Sequence, residues 1–369
     1  MTTVTPKSPL LDEHVSLGAS FTDFAGWQMP LKYTSELVEH RAVRTRAGLF
    51  DLSHMGEIDI TGTDAGVMLD HALVGELSKI AVSRAKYSLL CNQNGGVVDD
   101  LVVYRLAEDH FLIVANAANA AAVFANLLAR SEGFDVAVTD RSTETALIAV
   151  QGPAAQDIVA DLAPAEQTQV VADLKYYAVT TADIAGQQVL LARTGYTGED
   201  GFELYVPNSG AVHLWRALAA STVARGGVPA GLACRDTLRL EAGMALYGHE
   251  LNVNTNPYEA GLGKVIRLNK NFIGRDTLQT FSTEKPQRRL VGLVGSGRRA
   301  ARTGYPVLDA DGFPIGQITS GALSPTLGRP IALAYIDIAH SENDTLVSVD
   351  IRGKVEPFTV SPVPFYRRS

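Results

Sequence analysis

The spacing of apolar and polar positions changes period several times along the chain. Ser35 can cap a helix in which Leu37, Val38, Arg41, Val43 and Arg44 alternate faces, with Gly48 as its stop. Residues 57–61, Glu-Ile-Asp-Ile-Thr, switch to period two and predict a strand. Thr63 is expected to cap a second helix reaching Leu73. Residues 87–91 and 97–104 predict two strands joined by Asn92-Gln93-Asn94-Gly95-Gly96, an Asn-Gly-Gly hairpin signal. A strand at 110–116, a helix at 117–131 and strands at 135–139 and 146–151 follow, the last stopped by Gly152-Pro153. Tyr176 and Tyr177 are expected to open a further strand. The run 189–193 leads into a Gly-rich turn, residues 202–206 alternate again, and helices are expected at about 211–221 and 231–242. Strands interleaved with helices and hairpins predict an α+β fold with largely antiparallel sheets. Beyond the polar linker at 282–289 the helical period disappears. Short strands at 289–294, 305–308, 316–319, 331–336 and 346–349, with Asp309-Ala310-Asp311-Gly312 as a hairpin turn, predict a small β-barrel or sandwich of about 80 residues.

Two stretches break this pattern. Asp99 and Asp100 sit side by side in the Val- and Leu-rich strand, so they point to opposite faces. If Asp100 shares the inward face with Val102 and Tyr104, it needs a partner or a task, while Asp99 looks outward. The second stretch, R-T-G-Y-T-G-E-D-G-F-E at 193–203, holds three glycines and three carboxylates. Gly195, Gly198 and Gly201 suit positive φ or the close approach of a ligand. Glu199, Asp200 and Glu203 would repel a phosphate, so the cargo of this turn should carry hydrogen-bond donors. His54 could serve as a general base, although a structural histidine is the commoner case, and Met55 reads first as core. Arg235 and Arg239, four residues apart on a helix, share a face that ion pairing would ordinarily explain.

A chain of 369 residues exceeds one ordinary core and predicts two or three lobes. Its net charge of −8 argues against a nucleic-acid partner. Residues 1–7 lack the apolar core of a signal peptide, and the apolar run 117–129 is broken by Asn119 and Asn126. A cytoplasmic protein with no membrane association is expected. Cys91 and Cys234 have neither zinc-site nor redox-pair spacing, so no metal is expected and both should be packed thiols. No G-x-G-x-x-G follows a strand, and no phosphate loop or H-E-x-x-H occurs.

Several motifs together resemble the glycine cleavage T-protein family: G-G-V-V-D-D at 95–100, R-T-G-Y-T-G-E-D-G-F-E at 193–203, and L-A-C-R-D-T-L-R-L-E-A-G-M at 232–244. F-A-G-W at 24–27, F-D-L-S-H-M at 50–55 and P-F-Y-R-R at 364–368 add to the match, which covers essentially the whole chain. The resemblance implies three lobes in a cloverleaf around a central folate-binding hole. The first is discontinuous, 1–50 plus 141–280; the second is 51–140; the third is a C-terminal barrel at 285–369. It implies an aminomethyltransferase of glycine catabolism that passes a one-carbon unit from the S-aminomethyl-dihydrolipoyl arm of H-protein to tetrahydrofolate, a co-substrate. Ammonia and 5,10-methylenetetrahydrofolate leave, and P-protein and L-protein complete the cycle.

By resemblance Asp100 is the catalytic aspartate, Glu203 the pterin-binding glutamate and Arg235 a folate-binding arginine. Tyr87, Tyr104, Tyr177 and Tyr196 fall at contact positions, with Asn116, Met55 and the C-terminal Arg368 as further folate contacts. Arg288, Arg289, Arg298, Arg299 and Arg302 form a basic cluster that could steer an acidic H-protein. The same fold also serves folate-dependent demethylases and a folate-binding accessory protein of iron–sulfur assembly. The latter carry a cysteine before the tyrosine of the turn, where this chain has Gly195.

Overall fold

Period-two segments rich in Val, Ile and Leu become strands buried on one or both faces, and the computed structural model, which describes residues 6–368, gathers them into three larger sheets and a short hairpin. The residues 1–5, and with them most of the expected signal-free N-terminal segment, lie outside the described residues. The chain divides into two compact units. One comprises Met1–Ala72, Glu76–Ser88 and Leu101–Arg235; the other comprises Leu73–Gly75, Leu89–Asp100 and Asp236–Ser369.

In the first unit a six-stranded sheet runs in the order Val179–Ile184, Gln187–Ala192, Gly201–Pro207, Thr145–Gln151, Gly48–Asp51, Val228–Pro229. All neighbours are antiparallel except the last pair. The helix Asn208–Ala224 buries Ala211, Leu214, Trp215 and Leu218, one stripe at helical spacing, in the same apolar cluster as Ile148, Phe202 and Leu204.

A five-stranded sheet has the order Arg84–Cys91, Val97–Ala107, His110–Ala115, Gly56–Thr61, Ala137–Asp140. The expected hairpin between its first two strands is present: Asn92 Oδ1 accepts from the N–H of Asn94 at 2.9 Å and of Gly96 at 3.0 Å, and Gly95 takes φ +77°. In the second unit, Arg288–Gly295, Pro330–Asp337, Pro314–Leu323, Pro306–Leu308, Leu346–Asp350 and Val355–Ser361 close into a barrel around Leu293, Val307, Ile318, Ala334, Val349 and Phe358. The mixed α+β class, the antiparallel sheets and the C-terminal barrel are as expected. The barrel's last strand was not, because Pro357 offers no N–H and reads as a strand breaker.

Several local expectations change. Ser35 makes no side-chain cap for Glu36–Thr45; instead Glu39 Oε1 accepts from the N–H groups of Tyr33 and Thr34. Thr63 gives its hydroxyl to Asp135, and the following helix spans Ala65–Ala72. Tyr177 does not open a strand: its φ is +58°, and the strand begins at Val179. Cys91 and Cys234 are buried thiols outside any disulfide, and no group of His, Cys, Asp or Glu among the described residues could hold a metal. No helix among them is long and apolar enough to cross a membrane.

Candidate functional site

Of the three acids in the 193–203 turn, two are spoken for. Arg44 donates to Glu199 Oε1 at 2.8 Å and to the Thr197 carbonyl at 2.7 Å, an ion pair whose side chains are almost wholly enclosed. Arg193 grips Asp200 with two donors at 3.0 and 2.5 Å while its guanidinium lies 5.1 Å from the Phe202 ring centre. The glycines serve the same clamp. A Cβ on Gly195 or Gly201 would come within 2.0 or 2.3 Å of the Gln151 amide, and Gln151 in turn donates to the Thr194 carbonyl and accepts from Thr197. Thus the close approach at Gly195 and Gly201 is by Gln151, not by a ligand, and Gly198 alone of the three has positive φ.

Glu203 remains. It is half-buried on Gly201–Pro207, and its Oε2 accepts from Thr194 Oγ1 at 2.5 Å and Tyr104 Oη at 3.3 Å. Tyr104 Oη lies 2.8 Å from Thr194 Oγ1 and receives the hydroxyl of Tyr205 at 3.3 Å. Burial, and the Glu203 charge after it, push the Tyr104 phenol well above its usual range, so it stays protonated. The other oxygen, Glu203 Oε1, carries no hydrogen bond among the described residues. Arg235, on the helix Leu232–Glu241, lies 4.9 Å over the Tyr196 ring and is held within electrostatic reach of Glu203. Burial lowers its pKa against the pull of Glu203, yet a guanidinium keeps its charge. It too makes no side-chain hydrogen bond among the described residues. A fixed carboxylate with one open oxygen, and a guanidinium over a phenol with no hydrogen bond among the described residues, have the chemistry to take donors and an acceptor.

Tyr104, expected as a direct folate contact, is fully enclosed and meets Glu203 instead. Tyr177 lies close enough to Tyr104 to affect it electrostatically. Met55 and Asn116 flank the paired residues Gly56 and Ala115 at one end of the five-stranded sheet, and both are half-buried. Tyr87 is half-buried on Arg84–Cys91.

His54 is enclosed against the edge of Phe24, ring centres 5.3 Å apart, and its Nδ1 has no hydrogen-bond partner among the described residues. Burial, aided by Arg235 and opposed by Asp51, lowers its pKa to about 4, so the imidazole is neutral at neutral pH. Asp51 itself is taken by Ser8, by His14 at 2.8 Å and by the Ser53 N–H at 2.9 Å.

The strand Val97–Ala107 contributes Asp99 and Asp100, which fall in the second unit, and here the expected burial is reversed. Asp99 is fully enclosed, sharing parity with Val97, whereas Asp100 is half-buried and shares the parity of Val102 and Tyr104. Tyr247 lies near both acids, and burial followed by their charges raises its pKa. Arg239 does not stand on an exposed ion-paired face. It is enclosed, bonded to Glu250 at 3.1 Å, Asp236 and Ser320. Arg368 is exposed on the C-terminal segment. In the basic cluster Arg288 pairs with Glu259 at 2.8 Å, Arg299 with Glu356 at 3.6 Å, and Arg302 donates to the Gly321 carbonyl.

The family model described as GCVT N-terminal domain matches residues 10–270, and the glycine cleavage T-protein C-terminal barrel domain matches residues 288–367. An aminomethyltransferase of Saccharopolyspora erythraea is 54% identical over 365 residues, 98% of each chain. One of Thermotoga maritima is 45% identical over 363 residues, again 98% of each. The crystal structure of the glycine cleavage system aminomethyltransferase T from Bartonella henselae superposes with a TM-score of 0.91 at 36% identity, covering 98% of both chains.

Proposed function

We propose, for a chain that belongs to the glycine cleavage T-protein family, that it is an aminomethyltransferase. It transfers the one-carbon unit of an aminomethylated, H-protein-borne dihydrolipoyl arm to tetrahydrofolate, releasing ammonia and forming 5,10-methylenetetrahydrofolate in the cytoplasm. The observation that carries the folate reading is the Glu203–Arg235 pair: one carboxylate oxygen fixed by Thr194 and Tyr104, the other open, and a guanidinium over Tyr196. A pterin edge presents an amino group and a ring N–H side by side, which a carboxylate accepts, and an acceptor or charged tail for the arginine. Tyr196, Tyr177, Tyr87, Asn116, Met55 and Arg368 are proposed as the remaining folate contacts, and the lobes are proposed with the bounds that the resemblance implies.

The reaction asks that a folate nitrogen be held against the methylene carbon and that charge developing as the amine departs be met. Asp100 is proposed for that role. Half-buried in its strand, it is proposed to orient the folate nitrogens and to supply a negative potential. Arg289 and Arg298, which make no side-chain hydrogen bond or ion pair among the described residues, are the members of the basic cluster left to attract H-protein.

Mixing the protein with tetrahydrofolate and aminomethylated H-protein tests the reading. Ammonia and methylenetetrahydrofolate are expected in equal amounts, and absence of turnover with a partner active toward another T-protein overturns it. Sarcosine or dimethylglycine in place of the H-protein is expected to give no product; turnover there would favour a demethylase.

A further inference from the structure

The five-stranded sheet carries one acid that the reading above does not use. Glu57 pairs with Val114, and Val114 pairs in turn with Val102. Directly paired residues share a face, and alternation along the strand then puts Glu57 and Tyr104 on the same side of the sheet. Glu57 is 1% exposed, and neither of its carboxyl oxygens has a hydrogen-bond partner among the described residues. A bare buried carboxylate is among the costliest arrangements a fold can hold, whereas a neutral carboxyl in the same place costs far less.

The charged groups around it make ionisation harder still. Asp140 acts on it from Ala137–Asp140 and Glu203 from Gly201–Pro207, both acids, and Tyr205 is close enough to feel its charge. The neighbouring strand presents Val114. Arg141, whose backbone N–H meets the Glu57 carbonyl, sends its guanidinium to Asp59 and Glu144. Burial first, and the two acids after it, push Glu57 well above the ordinary carboxylate range.

We propose that Glu57 is a positioning acid of the Glu203 site: its carboxyl keeps its proton, so that Glu203 alone carries the negative charge at the end of the Tyr205–Tyr104–Glu203 hydrogen-bond series. The two environments divide the roles. Glu203 has the Thr194 and Tyr104 hydroxyls to support its charge; Glu57 has no hydrogen-bond donor among the described residues. If Glu57 released its proton, a second negative charge would stand within electrostatic reach of Glu203 and would alter the charge that the donors of the ligand meet. That consequence rests on the pterin reading of Glu203; the division of charge does not.

Infrared difference spectroscopy on the full-length protein without folate tests the division. The carbonyl stretch of a protonated carboxyl is expected at neutral pH in the wild type and is expected to vanish in Glu57→Gln. Its titration midpoint is expected to fall by on the order of one pH unit in Glu203→Gln, because removing a negative neighbour eases ionisation. A merely structural Glu57 would show no such coupling. No Glu57-dependent band at neutral pH, or a midpoint that Glu203→Gln leaves in place, overturns the proposal. Failure of the wild type to bind tetrahydrofolate, with both infrared results as expected, would instead remove the pterin reading.

Discussion

The turn at 193–203 and the strand Val97–Ala107 both place acids next to one another, and they sort those acids by different means. In the turn the sorting is done by cations: Arg44 takes Glu199 and Arg193 takes Asp200, leaving Glu203 to the hydroxyls of Thr194 and Tyr104. In the strand the pleat does it: Asp99 goes into the core, and Asp100 keeps a partly open position. Pairing with arginine leaves one acid of the turn half-buried with an open oxygen, whereas parity in the strand costs the fold an enclosed aspartate beside a half-buried one.

The largest expected effect sharpens the strand half of this comparison. Asp100→Asn keeps the shape and removes the charge, and its kcat in the H-protein assay is expected to drop about 10²–10³-fold with little change in unfolding midpoint. Asp99→Asn is expected to do the opposite, lowering the urea midpoint while kcat stays within about threefold of wild type. The reverse ranking would mean that the enclosed acid is the one in the chemistry.

Next in size is the clamp of the turn. Arg44→Met leaves the Glu199 carboxylate enclosed without its cation, and a loss of about 3 kcal/mol in unfolding free energy is expected. A change below about 1 kcal/mol would show that Glu199 finds another partner or a proton at small cost.

His54 gives a pH signature of similar magnitude. Its pKa falls from an unfolded value near 6.5 to about 4 in the fold, so in that interval the unfolded chain binds the extra proton. Stability is therefore present above about pH 6.5 and is lost as the pH falls toward about 4, by about 3 kcal/mol in full. His54→Asn is expected to flatten that part of the stability–pH curve. An unchanged slope would show that His54 charges freely within the fold.

A smaller effect probes the support of Glu203. Tyr104→Phe removes one of the two hydroxyls on Oε2, and tetrahydrofolate affinity is expected to weaken by about 1 kcal/mol, roughly fivefold.

Much of this was legible in the sequence, and the reasons for the rest are physical. Strand periodicity and turn residues revealed the antiparallel sheets, the Asn92–Gly96 hairpin and five of the six barrel strands. Motifs pointed to Glu203 and Arg235. Alternation established that Asp99 and Asp100 face opposite ways, but not which way the core lies, because apolar residues flank the pair on both faces of the strand. The Arg44–Glu199 pair joins positions 155 residues apart, and no local pattern announces it. The glycines announced a close approach without naming Gln151 as the neighbour. Glu57 passed as one polar member of an ordinary alternation, and only the register with Val114 and Val102 shows the company it keeps.

Titration calorimetry with tetrahydrofolate on Glu203→Gln, set beside Asp200→Asn and Glu199→Gln, tests the central claim most directly. Glu203→Gln replaces an acceptor with a donor and is expected to lose about 2 kcal/mol, roughly 30-fold in Kd. The other two, whose carboxylates are already held by arginines, are expected to stay within about threefold of wild type once compared at equal folded fraction. Unchanged affinity in Glu203→Gln, or an equal loss in Asp200→Asn, would contradict the assignment of Glu203 as the acid that the turn reserves for its ligand.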